Sequence, residues 1–186
     1  MKFVPFQDLY TPRLHLRKLT MEDVQAYYQR LGSSAEVTKY MLFQPHQDIS
    51  ESVASIEKAL RRYEEGKCYR FCIALRDTDE LIGVIEPLRF DENTGTCSFA
   101  YMLGKDFWGK GYGTEALTAV LDFLFRDMEM DRVEADHMAE NAASGAVMRK
   151  AGMIYAGIEP GKYEKNGACH DACLYAITRE HWLCNR

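Results

Sequence analysis

The chain has 186 residues, 47% of them hydrophobic and 27% charged, with 13 glycines and only 5 prolines, a balance that excludes collagen, coiled coil and disorder. Twenty-three Lys and Arg against 28 Asp and Glu leave a net charge of -5, which argues against nucleic acid as a partner and suits a cationic or amine partner. No apolar run approaches the roughly 20 residues that span a bilayer, and Met1 to Asp8 lack the apolar stretch of a secretory signal, so a cytoplasmic chain with no membrane partner is expected.

Arg13 to Arg17 alternates polar and apolar residues as a short strand. Thr20-Met21-Glu22-Asp23 resembles a capping box, and it opens a helix with Val24, Tyr27, Tyr28 and Leu31 on one stripe before Gly32. Asp48-Ile49-Ser50-Glu51 is a second start signal, followed by Val53, Ile56, Leu60 and Tyr63 at helical spacing until Gly66. Phe71 to Leu75, Leu81 to Leu88 and Thr96 to Leu103 then read as a three-strand meander, joined by the turn chemistries Asp77-Thr78-Asp79 and Asn93-Thr94-Gly95. After a glycine-rich turn, Leu117, Val120, Leu121, Leu124, Phe125 and Met128 mark the clearest helix in the chain. Arg132 to His137 reads as a strand, and Asn141 caps a helix carrying Ala146, Val147 and Ala151 that Gly152 ends. Met153 to Ile158 and Ala172 to Ile177 close the chain, with Asn166-Gly167 as the turn before the second. The pattern predicts an α+β fold: one domain over residues 1–186, with a mixed, mostly antiparallel central sheet of about seven strands and helices on both faces.

Six cysteines, Cys68, Cys72, Cys97, Cys169, Cys173 and Cys184, include no C-x-x-C pair, so reduced thiols are expected and no disulfide. The run Cys169-His170-Asp171-Ala172-Cys173 lacks zinc-site spacing, so no metal is expected. His170 and Asp171 are neighbours in a strand and face opposite ways, which disfavours a catalytic dyad.

The chemically informative stretch is Trp108-Gly109-Lys110-Gly111-Tyr112-Gly113-Thr114, between a strand and the long helix. Glycines let backbone approach a ligand, and the unpaired amides of a helix N-terminus attract anions, so a pyrophosphate is the natural guest. Neither the P-loop spacing nor the dinucleotide fingerprint is present. A G-x-G-x-G run taken alone also serves as a plain tight connection.

Trp108 to Ala116, Asn141-Ala142-Ala143-Ser144 through Gly152, Thr11 to Arg17, and Asn166-Gly167 with Asp171 and Tyr175 together resemble the GNAT-type N-acetyltransferases over nearly the whole chain. Within that family the likeness is to the branch that acetylates ribosomal-protein N-termini. The resemblance implies acetyl-CoA as cosubstrate. It implies that amides of Gly109, Lys110, Gly111, Tyr112, Gly113 and Thr114 cradle the pyrophosphate, and that Met102, Leu103 and Gly104 pair main chain with the pantetheine arm. That arm would lie between the strand ending at Leu103 and the strand Arg132 to His137, which splay apart in this fold. Asn141 would cap its helix and touch the cofactor. Trp108 stands where the family commonly has Arg or Gln; the ribosomal-protein branch often carries Trp.

Moving acetyl from a thioester to an amine needs a neutral amine, a polarised carbonyl and a proton for the departing thiolate. Alternation puts Glu134 and Asp136 on one face of their strand, which makes Asp136 the first candidate base and Glu134 the second; a salt bridge to Arg132 or Arg149 is the competing role. Many family members carry a tyrosine acid where Met148 stands, and Ser144 matches the serine that fills this role in the ribosomal-protein branch. The expected function is direct acetyl transfer from acetyl-CoA to a primary amine, a protein N-terminus included, in a ternary complex. The alternatives are a polyamine or aminoglycoside acetyltransferase and a catalytically silent acyl-CoA-binding module. The expected partner is therefore an amine acceptor, either a peptide N-terminus or a small amine. A homodimer stays open. Tyr27, Tyr28, Tyr40 and Phe43 cluster in the helical insert before the meander, where the resemblance implies the lining of the acceptor pocket; an aromatic stripe is more often core, and the four are left out of the expected site.

Overall fold

The computed structural model describes residues 1–66 and 68–185, and eight strands form one sheet in the order β1-β2-β3-β4-β5-β6-β8-β7. They are β1 (Leu9–Tyr10), β2 (Leu14–Lys18), β3 (Phe71–Leu75), β4 (Leu81–Asp91), β5 (Thr96–Leu103), β6 (Arg132–Met138), β7 (Ile154–Lys165) and β8 (Ala168–Thr178). Every neighbouring pair is antiparallel except β5 with β6. A parallel pair requires a long crossover, and helix α4 (Tyr112–Arg126) provides it. The mixed, mostly antiparallel sheet agrees with expectation. The added strand is β1, whose two residues are too few to show an alternation.

The meander has the predicted bounds at β3 and β5, while β4 runs on past Leu88 to Asp91. Asn166 and Gly167 take φ of 53° and 75°, the left-handed pair that a tight hairpin turn demands. The strands on either side of it extend well beyond Met153 to Ile158 and Ala172 to Ile177. The added length is mostly solvent-exposed, so no apolar period marks it in the sequence.

Helices cover both faces. On one, α4, α5 (Ala142–Lys150) and α6 (Arg179–Cys184) enclose the larger core, and every residue of the long apolar stripe, Leu117 through Met128, is fully buried there. On the other, α1 (Val24–Tyr27), α2 (Ala35–Thr38) and α3 (Ile49–Glu64) press Val24, Tyr27, Leu31 and Ile56 onto Cys72, Ala74, Val84 and Met102. The predicted first helix is broken into a 3-10 turn at Met21–Asp23, α1, and a π turn at Tyr28–Gly32. Its start signal is present, since the Thr20 amide donates to Asp23 Oδ2 at 2.8 Å. No helix among the described residues is long and apolar enough to cross a membrane.

One feature of the sheet opens a site. Strands β5 and β6 pair only from Thr96↔Arg132 to Ser98↔Glu134. Beyond that point β5 keeps only β4 and β6 keeps only β8, so the two strands diverge.

Candidate active site

Helix α4 begins at the mouth of this gap. Gly109 and Gly111 hold φ of 73° and 84°, where an L side chain costs roughly 1–2 kcal/mol. Gly111 is the residue from which α4 departs, and no side chain caps that end. The amides of its first turn are therefore left for an anionic guest.

The loop is fastened from behind by the chain just before β2. Arg13 Nη1 donates to the Lys110 carbonyl at 3.0 Å, and Arg13 Nε donates to Glu115 Oε2 at 2.7 Å. Glu115 Oε1 accepts from Thr11 Oγ1 at 2.6 Å and from the Arg13 amide at 3.0 Å. The guanidinium also lies 4.4 Å from the centre of the Tyr112 ring. Burial alone would push the Glu115 carboxyl up, but the hydrogen bonds from Thr11 and Arg13 outweigh it and hold the group below the usual carboxylate range.

The loop and the gap wall a cleft of about 400 Å³. Met102, Leu103, Gly109, Gly111, Tyr112, Gly113, Thr114, Asn141 and Ser144 line it, together with Trp108, Tyr101, Tyr40 and Lys150. Lys110 is not on the wall: its carbonyl faces Arg13 and its Nζ stands 5.7 Å from the Phe107 ring centre. Nor is Gly104, whose amide donates to the Ile82 carbonyl of β4 at 2.8 Å. Main-chain groups alternate sides along an antiparallel strand, so Met102 also directs its main chain to β4, and Tyr101 and Leu103 turn theirs to the gap. Trp108 Nε1 takes the Leu103 carbonyl at 2.6 Å.

Asn141 starts α5, its side chain accepting the Ser144 amide at 3.4 Å. This cap sets Ser144 on the first turn, with Oγ 2.9 Å from the Tyr101 hydroxyl. Burial pushes the Tyr101 phenol up to about 12, so it keeps its proton at neutral pH. Met148, by contrast, is 2% exposed and belongs to the larger core. Tyr101 carries no local signal that sets it apart in the sequence; only the approach of α5 to β5 does.

Glu134 and Asp136 lie outside the cleft walls. Glu134 pairs with Arg132 Nε at 2.7 Å, and Asp136 with Lys162 Nζ at 2.9 Å. His170 and Asp171 point to different partners, Glu140 at 2.9 Å and the Gly161 amide at 2.9 Å.

A second pocket, of about 280 Å³, lies on the α1–α3 side and shares Met41, Tyr101 and Met102 with the cleft. Tyr27, Phe43, His46, Ser55, Arg70 and Glu86 are among its walls. Of the two readings of the aromatic cluster, Tyr27 and Phe43 serve as both pocket lining and core, Tyr40 lines the cleft, and Tyr28 lines neither cavity.

Comparison with known proteins accords with this architecture. The acetyltransferase (GNAT) domain model matches residues 13–154. The chain is 31% identical over 176 residues to "Uncharacterized N-acetyltransferase p20" of Bacillus licheniformis, covering 95% of this chain and 98% of that one. It is 27% identical over 125 residues to the [Ribosomal protein uS5]-alanine N-acetyltransferase of Escherichia coli, covering 67% of this chain and 64% of that one. A solved GNAT-family acetyltransferase from Bacillus anthracis superposes with a TM-score of 0.84 at 24% identity, over 94% of this chain and 99% of that one. The chain belongs to the GNAT acetyltransferase family. It is an N-acetyltransferase, and acetyl-CoA is its cosubstrate.

Proposed function

We propose that the protein transfers acetyl directly to a primary amine seated in the second pocket, with Ser144 and Tyr101 furnishing the proton for the departing thiolate. The observation that carries this reading is that the two cavities adjoin and share Met41, Tyr101 and Met102, with the Ser144 hydroxyl 2.9 Å from the Tyr101 oxygen.

When bound, acetyl-CoA brings an activated thioester. The residues of the chain bind and orient it: the glycine-loop amides hold the diphosphate, and main-chain groups of Tyr101 and Leu103 align the arm in the gap. The Ser144 hydroxyl then donates to the leaving sulfur, and the phenol of Tyr101 donates to Ser144 Oγ in turn. Because this phenol retains its proton, it cannot act as the base that would turn Ser144 into a nucleophile, and no cysteine lines either cavity. Both points favour direct transfer over a covalent intermediate.

Proton removal from the amine is less demanding. A peptide-like α-amine with pKa about 8 is already about one-tenth neutral at pH 7. Asp136 and Glu134, each tied to a cation outside the cavity walls, would serve as bases only through water.

The experiment is acetyl-CoA turnover over a panel of peptides and small amines, read by release of free thiol. Ser144→Ala should lower kcat by about 10²-fold or more, with acetyl-CoA affinity by calorimetry changed less than about threefold. Native kcat in that variant, or no turnover with any amine, defeats the reading; binding without turnover would identify a silent module.

A further inference from the structure

Deepening the acceptor reading of the second pocket, on which this step rests, we propose that the accepted amine carries a carboxylate and that Arg70 reads it. Arg70 is a pocket wall with a side chain only 14% exposed. Its guanidinium is held in place by neutral oxygens, Nη2 donating to the Tyr27 hydroxyl at 2.8 Å and Nη1 to Ser55 Oγ at 3.2 Å. The facing carboxylate, Glu86, stands 3.8 Å from Arg70 Nε and is engaged at 2.6 Å by Arg62. Arg62 thus commits the Glu86 carboxylate away from Arg70, and with Glu65 also acting on Arg62, Arg70 is the guanidinium left without a close charged partner among the described residues, its ion pair standing at 3.8 Å. His46 is occupied at Nδ1 by Ser52 Oγ, 2.8 Å away. A loosely paired guanidinium on a pocket wall is available to an anionic group of the acceptor.

The Tyr27 ring does not favour a cation either. Tyr27 would offer a ring face to an ammonium group, but the Arg70 guanidinium already lies 5.4 Å from that ring centre. The second ammonium of a polyamine would meet like charge. A carboxylate would complete a pair whose strength is raised by the low exposure of the site, and guanidinium is the side chain best shaped to take it. With the anion at Arg70, the amine end points toward Tyr101 and Met102, where the cavities join.

The test measures kcat/KM at saturating acetyl-CoA for matched acceptors: an amino acid, its amide, a diamine of equal length, and two dipeptide amides with Asp or Asn second. The carboxylate-bearing member of one pair should win by about tenfold or more, and the diamine should be slowest. Preference in the first pair identifies a free amino acid; preference in the second, an acidic peptide N-terminus. In Arg70→Gln the ratio should collapse toward one while acetyl-CoA affinity is retained. Glu86→Gln should widen it, and so tests the inference even if the first variant misfolds. A diamine or amide preference, or an unchanged ratio in either variant, overturns the inference and leaves acetyl transfer intact. No turnover with any acceptor overturns both.

Discussion

Replacing Gly111 by alanine tests the cradle directly, and Gly109→Ala is its control. Both residues sit at left-handed φ, 84° and 73°. The conformational cost of roughly 1–2 kcal/mol is partly offset by the roughly 0.4–1 kcal/mol that Gly→Ala takes from the unfolded chain. About 1 kcal/mol of destabilisation is expected at each site. The two differ in what an added Cβ would meet: nothing within 4 Å at Gly109, but Arg13 Nη2 at 3.3 Å at Gly111. Arg13 cannot swing aside freely, because Glu115 and the Lys110 carbonyl hold it at 2.6 to 3.0 Å. Loosening that half-exposed ion pair adds about 0.2–1 kcal/mol. Gly111→Ala should therefore lose about 1–2 kcal/mol, or roughly 2–8 °C in Tm for a chain of this size, and more than Gly109→Ala. Displacing an amide from a charged diphosphate costs about 1.5–3 kcal/mol, so the KM for acetyl-CoA should rise about tenfold or more. S-acetylpantetheine lacks the diphosphate and should be used nearly as well as by the parent enzyme. Equal losses with both donors, or identical stabilities for the two variants, would refute the cradle and the clamp behind it.

Three further outcomes are expected. Tyr101→Phe should slow turnover about tenfold, and Tyr101→Phe combined with Ser144→Ala should be no slower than Ser144→Ala alone, because the two hydroxyls act in series; single-turnover kinetics would reveal additivity. The depressed Glu115 carboxyl contributes stability that is fully present above its unfolded pKa of about 4.3 and is lost as pH falls through its lower folded value. Urea midpoints compared between pH 6 and pH 3 should thus fall more for the parent than for Glu115→Gln. Gly145→Ala would place a Cβ 2.6 Å from His137 Nε2 and 2.9 Å from the Tyr175 hydroxyl, costing about 1–3 kcal/mol in calorimetry and lowering activity by shifting neighbouring Ser144.

Much of the site was legible from short stretches of chain. The glycine run, the Asn141 cap and the Asn166-Gly167 turn each act within a few residues, so their geometry follows from local conformational preference. The stripe from Leu117 to Met128 predicts a buried helix because its spacing puts those residues on one side. The break in the first helix was not legible, since a π turn keeps Val24, Tyr27 and Leu31 facing the core much as an unbroken helix would. The acidic face of β6 was placed correctly, but alternation says nothing of what stands opposite. Lys162 arrives there from β7, a strand whose exposed half has no period.

By itself, then, the sequence determined most of the elements, the mixed sheet with its covering helices, the glycine loop from which α4 departs and the serine at the start of α5. The tertiary structure alone decided the partners. Arg13 and Glu115 are separated by 102 residues and Tyr101 and Ser144 by 43, and each pair meets only because the sheet order folds distant segments together. The divergence of β5 from β6, and the second cavity behind it, likewise depend on which strands stop pairing and where. Such facts arise from packing between elements, which leaves no repeat or cap within any one of them.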